Sequence, residues 1–141
     1  MRALMVIAVA IGLMTAAHAP QAVAQGEYSP ALQVGDTIIT RYQVDQRTRF
    51  LTLLGAQDDI RALARRQLIN EAIQFKAAET DGVTISQEQI DQGIAEFAGR
   101  ANVTAEQFLE IPNRAGISEA TIRDFFTAGV IWRETVRARF T

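Results

Sequence analysis

One histidine, no cysteine, sixteen carboxylates and a scatter of hydroxyls are the chemical means of this 141-residue chain. The histidine, His18, lies within an apolar N-terminal stretch that reads as an export signal. Beyond it the chain has neither imidazole nor thiol with which to build a Ser–His or Cys–His nucleophile or to hold zinc or copper. It carries no Gly-rich phosphate loop and no dinucleotide fingerprint. Asp58-Asp59 is the one adjacent carboxylate pair, and a helix start accounts for it. Asn102-Val103-Thr104 fits a glycosylation acceptor, but Thr104 also reads as a helix cap. The chain is therefore expected to be a binding module rather than an enzyme, with no cofactor, no metal and no catalytic residue.

The hydroxyls have a structural use. Four times an aliphatic residue precedes Ser or Thr, and an apolar residue follows four positions later: Ile39-Thr40 with Val44, Ile85-Ser86 with Ile90, Val103-Thr104 with Phe108, and Ile117-Ser118 with Ile122. Each hydroxyl can cap a helix while the apolar pair staples the incoming chain onto it. Gln43, Gln89 and Gln107 stand three residues after their caps, where a capping-box partner belongs; Thr121 is the weaker fourth.

These starts divide the chain. Leu32–Val34, Gly35-Asp36 and Thr37–Ile39 read as a β-hairpin with a two-residue turn. Helix one runs from Thr40 to about Leu54 and ends at Gly55, with Val44, Leu51 and Leu54 on one face and Phe50 beside them. Helix two runs from Asp58-Asp59 to Asp81, ended by Gly82. Its stripe (Ile60, Leu63, Ala64, Leu68, Ala72, Phe75) is widened by Ile69, Ile73 and Ala77, so it is expected to be the central, most buried helix. Helix three follows Ser86 to about Arg100. Helix four follows Thr104 and is expected to break or kink at Pro112, with Gly116 closing the segment. Helix five follows Ser118 nearly to the end. Its inward line is Ile122, Phe125, Gly129, Trp132, Val136 and Phe140, with Phe126 and Val130 on the shoulder. The fold class expected is mostly α: a short N-terminal hairpin followed by about five packed helices.

Arg2, the apolar run Ala3 to Ala17 and the small residues Ala22 and Ala24 predict a cleavable signal over 1–24, cut between Ala24 and Gln25. The rival reading is an uncleaved anchor, but the run is shorter than the ~20 residues of a spanning helix; cleavage is expected, with no stable membrane anchor after it. Cleavage would leave 117 residues, the size of one domain (25–141), with 13 Lys+Arg against 16 Asp+Glu. A mildly acidic chain of mixed sign is a poor partner for nucleic acid. Without Cys, packing alone must hold an exported protein together.

The aromatic residues are the remaining functional candidates. Phe75, Phe97, Phe125 and Trp132 lie on stripes and read as core. Tyr42, Phe50, Phe108 and Phe126 sit at stripe edges or on short elements. With Leu54 they are the candidate substrate-binding residues, rimming an apolar groove between helices that would take extended chains.

The segment Leu68-Ile69-Asn70-Glu71-Ala72-Ile73, continuing through Asp81-Gly82-Val83-Thr84-Ile85-Ser86 to Gln89-Ile90-Asp91, resembles the N-terminal module of the SurA family of periplasmic chaperones. Val34–Thr40 with Val44-Asp45 resembles that family's opening hairpin and first helix. Asn102–Phe108, then Gly116-Ile117-Ser118 and Arg123, fits its next two helices. The resemblance implies an ATP-independent module that holds unfolded outer-membrane proteins, or aromatic-rich extended peptides, in the periplasm. Family members continue into parvulin-type prolyl isomerase domains and a helix that returns to this module. Nothing here matches a parvulin domain, so isomerase activity is expected only of a longer parent chain. In the absence of the returning helix, the groove is expected to stay open or to be filled by a second copy, as a homodimer. The alternative reading is an exported adaptor that binds one folded partner or itself.

Overall fold

A computed structural model describes residues 26–140. The expected signal and its cleavage site at Ala24 and Gln25 lie outside the described residues. The described chain is mostly helical: a hairpin of β1 (Pro30–Val34) and β2 (Thr37–Thr40), then α1 (Arg41–Leu53), α2 (Ile60–Thr80), α3 (Gln87–Arg100), α4 (Ala105–Arg114) and α5 (Glu119–Phe140). The strands pair antiparallel, Val34 opposite Thr37, so Gly35-Asp36 is the two-residue turn. Gly35 takes φ 56° there, a conformation that favours glycine.

Each helix starts as its cap dictates. Thr40, Ser86 and Thr104 accept from the backbone N–H three residues on, and Gln43, Gln89 and Gln107 return the bond to the cap's own N–H. Ser118 accepts from the Thr121 N–H at 3.2 Å, but Thr121 has no amide to complete a box. A residue from another helix does so instead. The buried Gln46 of α1 accepts from the Ser118 N–H at 2.8 Å through Oε1 and donates through Nε2 to the Gly116 carbonyl at 3.2 Å. One side-chain amide thus fastens the α4–α5 turn to α1.

The ends of α1 to α4 share one geometry. The residue in the left-handed region bonds back three positions and the next residue bonds back five: for α4, Gly116 N–H to the Asn113 carbonyl and Ile117 N–H to the Pro112 carbonyl, both at 3.0 Å. This is the Schellman motif. At the end of α3 the left-handed residue is Asn102, φ 55°, so the Asn-Val-Thr triplet joins one helix end to the next helix start. Pro112 does not break α4, contrary to expectation. The helix runs on to Arg114; the ring is buried, and the Pro112 carbonyl accepts from the Ala115 and Ile117 N–H groups.

The core lies where α5 meets α1, α3 and α4. Phe50, Ile90, Ile94, Phe108, Ile122 and Phe126 form one cluster with Ile117. Phe97 packs edge-on against Phe126 at 5.4 Å and lies 5.2 Å from Phe108. Two expectations fail here. The central helix is α5, not α2, which buries only Ala64, Ala72 and Ala78 over 21 residues. The inward line of α5 is Ile122, as expected, with Phe126 and Val130, the expected shoulder. Trp132 and Phe140 are exposed, at 42% and 81%, rather than packed.

Candidate functional site

The rotation of α5 leaves a second apolar line uncovered. Phe125, Ala128 and Gly129 form the floor of an open groove of about 420 Å³, with α2 as one wall and α3 as the other. The α3 wall supplies Phe97, Glu96 and Arg100; the α2 wall supplies Gln67, Asn70, Glu71 and Gln74. Arg133 stands on α5 at the mouth. The two walls differ in kind because their helices differ in packing. On α3, Gly93 lets the helix sit tight on α5: an added Cβ would lie 3.2 Å from Val130 Cγ2. On α2, alanines are the only buried side chains, and amides face the opening.

At the floor of the α2 side lies a buried ion pair. Arg47 projects from the inward face of α1, one turn from Val44 and Phe50 and Leu51, and is 1% exposed. It makes a two-pronged pair with Glu71, of which the Nη2–Oε2 bond is 3.0 Å, and donates to Gln67 Oε1 at 3.2 Å. Its guanidinium lies 5.1 Å from the centre of the Phe125 ring. Its Nε is buried with no partner. Burial raises the Glu71 carboxyl above the ordinary glutamate range, outweighing the lowering by Arg47; Asp124 is raised for the same reason. Glu71 and Asp124 also border a smaller cavity of about 240 Å³ beneath β2.

The five expected substrate-binding residues are not brought together. Phe50 is fully buried, and Phe108 and Phe126 are each 8% exposed; all three are core, and only the edge of Phe126 reaches the groove. A side chain already surrounded by its own protein has no face to offer a client. Tyr42 stacks on Tyr28 at 5.3 Å at the start of α1, and Leu54 is exposed at its far end. Neither borders the groove. The residue missed was Phe125, half-buried, edge-on to Phe50 at 5.2 Å and turned to the opening. Arg47 was missed as well, although a cation at a stripe position of α1 is a visible signal.

Among the described residues no group of His, Cys, Asp or Glu is arranged to hold a metal ion, and no helix is long and apolar enough to cross a membrane. The arrangement offers shape, an aromatic floor and side-chain amides. No family model matches the chain, and neither a curated protein nor a solved structure is significantly similar to it.

Proposed function

We propose that this chain is the client-binding module of an ATP-independent periplasmic chaperone, holding extended segments of unfolded outer-membrane proteins in the groove between α2 and α3. The carrying observation is that the second apolar line of α5, Phe125 to Gly129, is floored by aromatic carbon yet roofed by nothing among the described residues. Apolar surface arranged as an open trough, rather than as scattered side chains, is what an unfolded chain can use. The export signal and the order of SurA-like segments support the compartment and the client class.

The test is dilution of a denatured porin into buffer with the mature chain, Gln25 onward, followed by light scattering. Suppressed aggregation near equal stoichiometry without nucleotide is expected. A Gly129→Arg variant, which adds bulk and charge where a Cβ meets nothing, is expected to lose that suppression while keeping its far-UV spectrum. If the folded wild type leaves aggregation unchanged, the reading fails and the adaptor alternative takes its place.

A further inference from the structure

Resting on that reading, we infer that the groove grips its client by the main chain, through the amides of Asn70 and Gln74, and selects segments flanked by acidic residues through Arg100 and Arg133. Asn70 and Gln74 both face the opening from α2, and neither has a hydrogen-bond partner among the described residues. A side-chain amide offers donors and an acceptor together, the complement of a peptide group. Four residues of helix advance about 6 Å. Two residues of an extended strand advance about 6.8 Å, and peptide groups facing one way recur at that interval. The pair therefore matches two successive outward-facing peptide groups of a strand laid along α2, and two flexible amides absorb the small mismatch.

The floor agrees with this. Gly129 stands in the middle of a 22-residue helix, where glycine weakens the helix. Its missing Cβ relieves no contact, since nothing lies within 4 Å of that position. The space is left for a chain that comes close to the α5 backbone while its alternate side chains rest against Phe97 and Phe125.

Charge decides the flank. Glu71 is neutralised by Arg47, whereas Glu96 is an exposed carboxylate whose bond to Gln92 leaves its charge in place. Arg100 makes no ion pair among the described residues, and Arg133 is 3.6 Å from Glu134, which is shared with Arg137. With Glu96 set against Arg100 and Arg133, and Glu134 shared with Arg137, the mouth keeps a surplus of one positive charge on a chain whose net charge is −2. An extended apolar segment bordered by Asp or Glu is the complement.

The experiment is fluorescence polarisation with a labelled ten-residue peptide alternating apolar and polar residues, two Asp at one end, titrated with the mature chain. Three further arms use the same peptide with Lys for Asp, with alternate amides N-methylated along one edge, and in 0.5 M salt. N-methylation is expected to weaken binding at least tenfold, and Lys for Asp about fivefold, the latter difference vanishing in salt. Asn70→Leu/Gln74→Leu is expected to bind parent and N-methylated peptides alike, and Arg100→Glu/Arg133→Glu to prefer the Lys peptide. Asn70, Arg100 and Arg133 are exposed and Gln74 is half-buried, and circular dichroism checks that each variant folds. Equal affinity for the N-methylated peptide, or an unchanged flank preference in the charge-reversed variant, overturns this inference and leaves the chaperone reading standing. No binding of any peptide by folded protein that still suppresses porin aggregation also overturns the inference alone; loss of both overturns the two together.

Discussion

The two sides of α5 are built on opposite rules. Toward α1, α3 and α4, Ile122 and Phe126 are enclosed by Phe50, Ile94, Phe108 and Ile117, with rings meeting edge to face and no polar atom in the cluster. Toward α2, the same helix shows Phe125 and a bare Gly129; the buried side chains of α2 are alanines, and its ion pair, Glu71 with Arg47, ties it to α1. Two glycines draw the contrast. Gly93 is small because Val130 presses on it; Gly129 is small with nothing pressing on it. The first side is where the fold is fixed. That rigidity is what allows the second to stay open without collapse, since a helix held along one line needs no cover on the next.

The sharpest way to break this contrast is to cut a ring from each side. Phe126→Ala is expected to destabilise by about 4 kcal/mol, the usual cost of a buried Phe and the cavity it leaves. Urea unfolding followed by far-UV circular dichroism measures it. Phe125→Ala, from a half-buried ring on the open side, is expected to cost less than half as much. Equal losses would mean that the α2 seam is core after all.

Next in size is Glu71→Ala, expected at about 3 kcal/mol, because it leaves the Arg47 guanidinium buried and unpaired. Replacing both partners, Arg47→Met with Glu71→Leu, is expected to restore most of that stability, since the pair's Coulombic gain is set against the desolvation of two charges. A double variant as unstable as Glu71→Ala would show that the pair contributes more than its own desolvation costs. Titration sharpens the same point. Burial holds the Glu71 and Asp124 carboxyls above their ordinary values, so the fold binds these protons more tightly than the unfolded chain does. Their contribution is fully present below the ordinary carboxyl range and is lost as pH rises through the raised values. The wild type is therefore expected to lose stability relative to Glu71→Gln as pH climbs above 4.5 and to level off beyond the raised value. A difference that stays flat from pH 4 to 8 would place Glu71 in water.

What the sequence disclosed divides along the same seam. Helix starts are local chemistry: a hydroxyl, an amide three residues on and an apolar pair, all within six residues, and so Thr40, Ser86 and Thr104 could be read directly. Gly55, Gly82 and Gly116 marked three ends, whereas Asn102 did the same work unannounced because its triplet had other meanings. The phase of α5 was not legible. Apolar residues occupy two adjacent lines of it, and only the packing of α3 and α4 decides which is covered. For α2 the apolar count misled, since width of stripe says what a helix could bury and not whether a neighbour arrives to cover it. The site failed for the same reason: Phe50 and Phe108 looked peripheral on short helices, and non-local packing drew them inside.

Gly129→Ala carries the smallest expected effect and separates fold from use most cleanly. In a helix interior, alanine is worth about 1 kcal/mol over glycine. Because the new Cβ would meet nothing within 4 Å, no strain offsets that gain. The variant is expected to unfold at higher urea concentration than wild type, with an unchanged slope. A methyl in the floor also lifts a bound chain from the α5 backbone and away from Asn70 and Gln74, so client affinity is expected to fall severalfold while stability rises. Gains in both would mean that the groove tolerates a fuller floor and that the glycine serves neither packing nor binding. Opposed signs would mean that stability is forgone at the one place where a client must pass closest.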